Sequence, residues 1–549
     1  MQQAICHIVA AAARADAHSG DGGFGCGGAG GFGGGGNGGG GGGGSGGSGG
    51  SGDGPKLNGG WGLAVILATT ALFGSVAQAA HASVPGPSAA TAVPGPASSS
   101  SSSIEGVAGG GATASSGNSS GSASAEPETQ GEGEGSPKRI VLFVEPSPFT
   151  YTSGYQTRFL ATIKEMVEAG CDVLVITPGR GAAGLLPGGK EQPAEFAGAR
   201  VVEAGSFPCP GYGTVPLSLG LSPRIWREVR SWRPDLIHVT SPGALPVAAW
   251  LYSKMLSVPL VASFHTHVPT YLPKLGLGWL EGSMWAFIRT IHRAAHLTIA
   301  VSPKSADDLI AAGACNPKTV KVWPKAVDCV RFNPSHASPE MRIRLEGGAK
   351  GGNGSVSGGD SSAPLLLYVG RVSSEKNLEL LKGVLAKVPG ARLAVVGDGP
   401  AMAKMKAHFA GTPTTFLGEL RGRELAVAYA SADMFVMPSE TETLGNVVGE
   451  AMASGLPVVA AAAGGVPSVI GRPGEAGLLF PPGNADAAAR AIKKLMENPD
   501  ARRRMAREAR AEMARWSWRR ATMEILRDHY PAALAAARRA PIQPLLAAA

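Results

Sequence analysis

The chain has 549 residues, and its formal net charge of +8 is unevenly distributed. The first 136 residues carry two basic and eight acidic side chains, so the remainder carries a net charge of +14. A basic body of this kind suits an anionic small substrate, an anionic membrane surface or nucleic acid. The sequence contains no helix-turn-helix, zinc-finger or RNA-recognition signature, so we expect no nucleic-acid partner.

Residues 1–137 are predicted to form a disordered targeting region. They are rich in Gly, Ser, Ala and Pro, a composition that buries too little apolar surface to offset the entropy of the chain. Within them, residues 61–80 form a stretch of 20 residues without charge, which is the length of one membrane span. This stretch fits either a discarded organelle-targeting segment or a retained membrane anchor, and the sequence leaves both open.

The composition of the sequence changes at residue 138, where the predicted folded body begins. A short apolar run over 139–144 is followed by a loop, a helical periodicity over 155–169 and a second apolar run over 172–177. Strand, loop, helix and strand in this order are typical of a parallel sheet. The alternation continues through the N-terminal half of the body and predicts one doubly wound unit.

A second alternation begins at residue 365, after a Gly-rich insert over 347–363 that is predicted to be a surface loop. The chain becomes largely helical and basic from residue 486. Two successive units predict an α/β protein with two doubly wound, Rossmann-like domains facing a cleft. The predicted divisions are an N-terminal domain over 138–330, a C-terminal domain over 331–515, and a closing helix with a tail over 516–549.

Two glutamates flank a predicted helix start in the C-terminal domain. A buried strand runs into a loop that holds Glu442, and a helix is predicted to begin near Gly445, which places Glu450 about one turn inside it. The unpaired N–H groups of the helix start, after Thr443 and Leu444, suit a diphosphate. Carboxylates on either side of it suit pairs of sugar hydroxyls. The segment therefore predicts a site for a sugar nucleotide.

Two cations follow the predicted strand over 365–369. Arg371 comes directly after Gly370, and Lys376 lies five residues further on at the start of a helix. Both project from the carboxyl end of the strand, where fixed cations can neutralise a diphosphate leaving group. Gly397 lies in a second strand-to-helix loop, where the missing Cβ allows the backbone to approach a base or a ribose.

These motifs together resemble glycosyltransferase family 4, a family of retaining enzymes with the two-domain GT-B fold. The resemblance rests on Val-Gly-Arg, Glu-Lys-Asn, Val-Gly-Asp-Gly-Pro, Met-Pro-Ser and Glu-x7-Glu in this order. It covers about residues 139–530. Trp518 resembles the tryptophan of the helix that returns to the N-terminal domain in this family.

The resemblance implies a role for each part of the donor site. Arg371 and Lys376 are expected to contact the donor diphosphate. Glu450 is expected to bind the ribose hydroxyls, and Glu442 to lie beside the transferred sugar. The loop that ends at Leu420 is expected to approach the base.

The N-terminal domain is predicted to contribute to the same cleft. Gly154 lies in the first strand-to-helix loop, where the backbone can approach a phosphate or sugar closely. His265 follows the strand over 260–264 and matches the histidine of the family there, so the resemblance implies a contact with the donor sugar. His267 is left open between a structural and a functional role. The His-x-His pair lacks a third metal ligand at useful spacing.

Segments of the N-terminal half resemble the sulfolipid-forming members of this family from plant and algal plastids. They include Ser153-Gly-Tyr155, Ser206-Phe-Pro-Cys-Pro210 and Ser263-Phe-His-Thr-His-Val-Pro269. Those enzymes transfer sulfoquinovose from UDP-sulfoquinovose to diacylglycerol. The resemblance therefore implies this donor and acceptor, a transit peptide, and a place on the anionic inner envelope membrane of the chloroplast.

Sulfoquinovose carries a permanent sulfonate, so its pocket needs fixed hydrogen-bond donors. Arg158, one helical turn after Gly154, is the first hypothesis for this contact, and Lys274 is the second. Four aromatic residues after the His-x-His motif are candidates either for lipid contact or for the core: Tyr271, Trp279, Trp285 and Phe287.

We expect front-face transfer without a metal ion. Glu442 and Glu450 are placed too far apart for the carboxylate pairing of retaining glycosidases, so the leaving phosphate would take the acceptor proton. A metal site at Glu440-x-Glu442 is the weaker alternative. Three other functions stay open: a family 4 enzyme with another lipid or sugar acceptor, a nucleotide-sugar epimerase, and a non-catalytic nucleotide-sugar-binding protein.

Overall fold

The structure is a computed structural model that describes residues 136–151, 154–181, 192–209, 212–273, 276–348 and 364–539. The predicted targeting region up to residue 135, with its apolar stretch over 61–80, lies outside the described residues. So do Lys274, residues 349–363 of the Gly-rich insert and the tail from residue 540.

Short strands alternate with helices along the described chain. The strands are β1 Arg139–Phe143, β2 Asp172–Gly181, β3 Glu195–Phe196, β4 Ala199–Cys209, β5 Tyr212–Leu217, β6 Leu236–Ser241, β7 Leu260–Phe264, β8 Leu297–Ala300, β9 Val320–Val322, β10 Leu365–Val369, β11 Arg392–Val396, β12 Thr414–Gly418, β13 Met434–Met437, β14 Val458–Ala461 and β15 Leu478–Phe480. Strands β3, β4, β5 and β15 were not predicted, because Gly, Pro or polar residues interrupt or shorten their apolar runs.

The helices connect these strands. They are α1 Gly154–Glu168, α2 Pro223–Trp232, α3 Leu245–Leu256, α4 Val268–Tyr271, α5 Glu281–Ala294, α6 Pro303–Ala311, α7 Pro339–Leu345, α8 Leu380–Lys387, α9 Met402–His408, α10 Gly422–Ala430, α11 Asn446–Ala453, α12 Val466–Ile470, α13 Ala485–Met496, α14 Pro499–Ala514, α15 Trp518–Glu524 and α16 Tyr530–Arg539. None in the described part of the chain is long and apolar enough to span a membrane.

The N-terminal sheet has the strand order β3-β4-β2-β1-β6-β7-β8-β9, with β5 paired to β4. Strands β3 and β5 run antiparallel to β4, and the neighbouring strands from β4 to β9 are parallel. The order runs outward in both directions from β1 and β6. Ligands of such sheets bind at the carboxyl ends of the strands near this switch point.

The C-terminal sheet is wholly parallel, with the order β12-β11-β10-β13-β14-β15. Its switch point lies between β10 and β13, and Arg371, Lys376 and Glu442 follow these two strands. The central strands are buried throughout because helices cover both faces of the sheet. The predicted α/β class with two doubly wound sheets is confirmed.

The last helices cross back from the C-terminal sheet to the N-terminal one. Helix α15 begins at Trp518 and contacts α1. Tyr530 and Ala533 are buried in the core of the N-terminal sheet. The Tyr530 hydroxyl lies 2.8 Å from Nδ1 of His238 in β6. This crossing ties the two sheets together at a point distant in sequence from the linker between the domains, residues 323–338.

Candidate active site

A glycine turn brings the ends of β10 and β11 together. Gly397 has a φ of 136°, and a Cβ at this position would lie 1.9 Å from the carbonyl oxygen of Gly370. Only glycine therefore fits there. The contact fixes the backbone just before Arg371, whose carbonyl oxygen accepts a hydrogen bond of 3.0 Å from the Tyr368 hydroxyl. Arg371 itself is exposed at this end of the sheet.

Lys376 and Glu442 form an ion pair between Nζ and Oε1. The two side chains are 20% and 14% exposed, so the pair is largely shielded from water. Burial opposes the charge on Lys376, but the Glu442 carboxylate outweighs it and raises the pKa of Lys376. The lysine is therefore charged at neutral pH. The structure brings together two residues that sequence reasoning placed in one cleft.

Glu450 lies in α11 and is oriented by Tyr429. The Tyr429 hydroxyl donates a hydrogen bond of 2.9 Å to Oε2 of Glu450. Burial raises the pKa of Glu450, whereas this hydrogen bond and the charge of Arg331 act in the opposite direction. Tyr429 is fully buried in the C-terminal core. The carboxylate direction is thus fixed by a residue that sequence reasoning missed.

The loop between the two glutamates is supported from behind by a second glycine turn. A Cβ on Gly464 would lie 1.6 Å from the carbonyl oxygen of Glu442, and the Gly465 N–H donates to the same oxygen at 2.9 Å. Gly445 has a φ of 92° and precedes α11, which begins at Asn446. The predicted helix start is therefore confirmed.

Two of the predicted donor-site residues, Leu420 and Leu444, have buried side chains in the C-terminal core. Any contact between these residues and a donor would go through their backbone groups. Thr443, beside Leu444, is partly exposed. The same stretch of backbone supplies the N–H groups at the start of α11.

His265 follows β7 and lies among aromatic rings. The ring centroids closest to it are 5.2, 5.1 and 5.4 Å away and belong to Tyr155, Phe159 and Trp323. Its Nε2 lies 2.8 Å from Oγ of Ser263. Burial, together with the charge of Arg158, holds the pKa of His265 well below its ordinary value. The imidazole is therefore neutral at physiological pH.

Arg158 is buried, with only 2% of its surface exposed. Its guanidinium carbon lies 5.2 Å from the ring centroid of Trp323 and 5.7 Å from that of Trp518. Nη1 donates to the carbonyl oxygen of Pro324 at 3.4 Å. Burial lowers the pKa of Arg158 to about 9. Arg158 thus joins α1 to the linker and to the crossing helix.

This placement does not favour the predicted contact between Arg158 and a sulfonate, because the side chain offers almost no surface to the cleft. Its Nη2 is nevertheless buried with no hydrogen-bond partner among the described residues. A buried donor of this kind is costly unless something binds it. The sulfonate contact therefore stays a prediction to be tested.

Among the described residues, two of the hydrogen bonds between the domains lie at the start of α11. Nδ2 of Asn446 donates to the carbonyl oxygen of Gly154 at 2.9 Å, and Oγ of Ser302 donates to the carbonyl oxygen of Thr443 at 2.8 Å. A Cβ on Gly154 would lie 2.6 Å from Asn446 Nδ2. The cleft is therefore closed at the start of α11. Sequence reasoning missed Asn446 and Ser302, because no local pattern indicates a contact between domains.

A cavity of about 500 Å³ lies beside Glu442. His267, Tyr271 and Trp285 line its N-terminal side, together with α6, and the loop over residues 440–443 lines its C-terminal side. Trp279, in the short 3-10 helix Gly278–Leu280, is 65% exposed. The cavity adjoins the donor residues without including Arg371 or Glu450.

The weaker metal alternative involved Glu440 and Glu442. Oε1 of Glu440 accepts a hydrogen bond of 2.8 Å from Nδ2 of Asn377, and Glu442 pairs with Lys376. Among the described residues there is no group of three or more His, Cys, Asp or Glu side chains that could hold a metal ion.

Solved structures with this architecture include several glycosyltransferases. The chain is similar to the sucrose-phosphate synthase of Thermosynechococcus elongatus with a TM-score of 0.57 and 20% identity, covering 71% of this chain and 97% of that one. It is also similar to the Anabaena protein HepE in complex with UDP, with a TM-score of 0.55 and 23% identity, covering 71% and 98%. Fold and site together define a GT-B protein with its cleft between two Rossmann-like sheets.

Comparison of the sequence with known proteins narrows the class of glycosyltransferase. Residues 152–331 match the family described as Glycosyltransferase Family 4, and residues 355–512 match Glycosyl transferases group 1. A sulfoquinovosyl transferase of Arabidopsis thaliana is 48% identical over 400 residues, covering 72% of this chain and 74% of that protein. A GDP-mannose-dependent alpha-mannosyltransferase of Mycobacterium tuberculosis is 33% identical over 398 residues, covering 71% and 96%. The chain belongs to glycosyltransferase family 4 and is a nucleotide-sugar-dependent glycosyltransferase.

Proposed function

We propose that this chain transfers sulfoquinovose from UDP-sulfoquinovose to diacylglycerol with retention of configuration, which forms sulfoquinovosyldiacylglycerol. The observation that carries the proposal is the 48% identity over 400 residues to the Arabidopsis sulfoquinovosyl transferase. A mannosyltransferase matches over nearly the same length at 33%. The identity to the sulfoquinovosyl transferase is higher than that to the mannosyltransferase, and this difference favours sulfoquinovose as the transferred sugar.

The C-terminal side of the cleft holds the nucleotide and its diphosphate in this proposal. Arg371 and Lys376 bind the diphosphate, and the backbone N–H groups at the start of α11 add to this site. Glu450, oriented by Tyr429, accepts from the ribose hydroxyls. Leu420 and Gly397 contribute backbone groups near the base.

The sugar lies between Glu442 and the N-terminal side of the cleft. His265 is neutral, so it can exchange hydrogen bonds with a sugar hydroxyl without adding a charge. Gly154 approaches the donor through its backbone. When the bond between the anomeric carbon and the diphosphate breaks, negative charge grows on the leaving phosphate, and Arg371 and Lys376 stabilise it. Front-face attack by the acceptor hydroxyl then gives retention, with the proton passing to the leaving phosphate.

The acceptor is proposed to come from a membrane. The basic charge of the body favours an anionic lipid surface, and the exposed Trp279 is the side-chain type that anchors proteins at a membrane interface. We place the enzyme in the chloroplast, at the inner envelope membrane. The 48% identity to the Arabidopsis enzyme supports this location.

The test uses the full chain with vesicles of anionic lipid that contain diacylglycerol, together with radiolabelled UDP-sulfoquinovose, UDP-glucose or GDP-mannose. The expected result is a labelled glycolipid with UDP-sulfoquinovose and an α-anomeric proton signal in its NMR spectrum. Label transferred only from another nucleotide sugar would replace the donor assignment. A modified nucleotide sugar with no labelled lipid would indicate an epimerase, and binding without either product would indicate a non-catalytic protein.

Metal independence is part of the proposal and has its own test. The two cations Arg371 and Lys376 supply the positive charge that a divalent ion would otherwise bring to the diphosphate. Transfer should therefore continue at an unchanged rate in excess EDTA. Activity that EDTA abolishes and Mg²⁺ or Mn²⁺ restores would contradict this and direct attention to Glu440 and Glu442.

A further inference from the structure

The cavity beside Glu442 contains polar groups that the donor assignment leaves unused. His267 and Asp308 face each other across its N-terminal wall, with Nε2 of His267 3.6 Å from Oδ2 of Asp308. The side chains are 19% and 26% exposed, so both are reachable from the cavity while being mostly shielded. A separation of 3.6 Å is too long for a good direct hydrogen bond. A hydroxyl group that bonds to both atoms would fit this spacing.

Neighbouring side chains hold the two groups in place. The other carboxylate oxygen of Asp308, Oδ1, accepts from Nζ of Lys304 one turn earlier in α6. The centroid of the His267 ring lies 5.3 Å from that of Trp285 and 5.8 Å from that of Phe264, with the rings nearly perpendicular in both pairs. Because Lys304 binds Oδ1 of Asp308, the other oxygen, Oδ2, faces His267. The aromatic rings limit rotation of the imidazole.

The chemistry of the walls favours a neutral alcohol over a second anion. Asp308, Glu440 and Glu442 place three carboxylates around the cavity, while Lys304, which also lines it, pairs with Asp308, and Lys376 pairs with Glu442. The walls therefore leave no excess of positive charge for a second phosphate or sulfonate. Tyr271 and Trp285 add apolar surface next to the polar groups, which suits a molecule with one hydroxyl and a hydrocarbon body. Burial raises the pKa of Tyr271, so its hydroxyl stays neutral.

We propose that this cavity is the acceptor subsite and that His267 and Asp308 bind the hydroxyl group of diacylglycerol that attacks the sugar. The inference deepens the proposed function and rests on it. The hydroxyl donates its proton in a hydrogen bond to Oδ2 of Asp308 and accepts one from Nε2 of His267. This holds its oxygen beside Glu442, where the transferred sugar is proposed to lie.

The pair orients the nucleophile and does not need to take its proton. In the transfer step the acceptor oxygen bonds to the anomeric carbon, and the bond from that carbon to the diphosphate oxygen breaks. As the new bond forms, the hydroxyl proton turns from Oδ2 of Asp308 to the departing diphosphate oxygen and leaves with it, so atoms and charges balance and neither His267 nor Asp308 gains or loses a proton. The contribution of the pair is the alignment of one lone pair of the hydroxyl with the anomeric carbon.

The test compares His267→Gln and Asp308→Asn with the wild-type full chain in two reactions. One is transfer to diacylglycerol in vesicles, and the other is the slow hydrolysis of UDP-sulfoquinovose by water without acceptor. We expect each variant to raise KM for diacylglycerol and lower kcat, with kcat/KM down about tenfold or more. We expect hydrolysis and KM for UDP-sulfoquinovose to stay within about twofold, because neither residue contacts the donor.

A matched control and an acceptor analogue separate this role from a structural one. His408→Gln changes a partly exposed histidine in α9 that does not line the cavity, and it should leave both reactions unchanged. A diacylated propanediol, which has no third hydroxyl, should inhibit wild type and His267→Gln with equal constants, because only the hydroxyl meets the pair. A variant with unchanged kcat/KM for diacylglycerol would overturn the inference, as would an equal loss of hydrolysis and transfer. No transfer by wild type would instead defeat the proposed function.

Discussion

The two sides of the cleft are built from different chemistry. On the C-terminal side, charged groups lie next to glycine turns at the strand ends. Two of them, Lys376 and Glu442, form an ion pair. On the N-terminal side, His265 is a neutral imidazole among aromatic rings, and Arg158 is buried under the cleft. The first side holds an ion pair at its strand ends, and the second surrounds a neutral imidazole with aromatic rings and buries its arginine.

This difference indicates which part of the substrates each side of the cleft binds. A diphosphate is common to every nucleotide sugar, and its charges need fixed partners in rigid positions. A sugar and an acceptor alcohol are recognised by hydrogen bonds and shape, and a mostly apolar wall with a few polar groups provides these. The C-terminal side therefore serves the chemistry of the whole family, and the N-terminal side is where substrate choice is expected.

The largest expected effect is on the charged side. Lys376→Ala removes one of the two cations and leaves the Glu442 carboxylate unpaired, so kcat should fall about 100- to 1000-fold. Steady-state kinetics with UDP-sulfoquinovose and diacylglycerol would measure this. Lys406→Ala, at an exposed position in α9, is the matched control and should retain full activity. A loss below tenfold in Lys376→Ala would mean that the diphosphate is neutralised elsewhere.

The N-terminal side should lose more stability in acid than the C-terminal side. Burial lowers the pKa of His238 and His292 to about 3 and that of His529 to about 4. Below about pH 6.5 each is protonated only in the unfolded chain, so stability falls as the pH falls. Burial raises the pKa of Glu145 to about 7, which acts in the opposite sense. The net loss of unfolding free energy that these four groups contribute from pH 7 to pH 5 should be about 3 to 4 kcal/mol. Buried His265, whose pKa is also lowered, adds to the loss, and buried Glu450, whose pKa is raised, subtracts from it.

Urea unfolding at pH 7 and pH 5 would measure this loss. His292→Gln removes one of the three histidines and should reduce the loss by about 2 kcal/mol, since one group contributes about 1.4 kcal/mol per pH unit below its unfolded pKa. Greater stability at pH 5 than at pH 7 would show that Glu145 dominates and would contradict the expected direction.

Arg158 tests whether the buried charge serves structure or substrate. Arg158→Ala empties the space between Trp323 and Trp518, so we expect Tm to fall by about 5 °C and the affinities for UDP-sulfoquinovose and UDP-glucose to change by the same factor. Calorimetry would measure both. Arg158→Met fills the space without charge and should recover most of the Tm. A loss of affinity for UDP-sulfoquinovose alone would instead establish the sulfonate contact.

The smallest effect is expected where the two sides meet. Gly154→Ala places a Cβ against Asn446 Nδ2, which must turn away and lose its hydrogen bond to the Gly154 carbonyl oxygen. We expect kcat to fall about three- to tenfold, as for the loss of one hydrogen bond. Asn446→Ala should cost a similar amount. The double variant should cost no more than either single one, because both remove one contact; additive losses would mean that the residues act separately.

The strand ends that carry the donor-site residues were predictable, because each domain follows a local sequence pattern. Apolar runs of strand length alternate with helical periodicity, and a glycine turn follows the strand before Arg371 and precedes the helix that carries Glu450. The contacts between these turns were not predictable. Gly464 supports the Glu442 loop and Tyr429 orients Glu450, yet no periodicity or spacing links either pair.

Arg158 shows the limit of the local rule. Its position one turn after Gly154 favoured a place on the cleft wall, but the crossing helix, more than 350 residues later, covers it with Trp518. The position of a residue in a helix decides on which face of the helix its side chain lies. Only the packing of another segment decides whether that face meets a ligand.

The sequence by itself determined the α/β class, the doubly wound units and the chemistry of the strand-end motifs, because these follow from hydrophobic period and from residue type. Only the tertiary structure decided which charges pair, which stay buried and where the two domains touch. Hydrogen bonds such as that between Asn446 and Gly154 join residues almost 300 positions apart. Their free energy depends on distance and burial, and neither quantity is encoded in any local stretch of the chain.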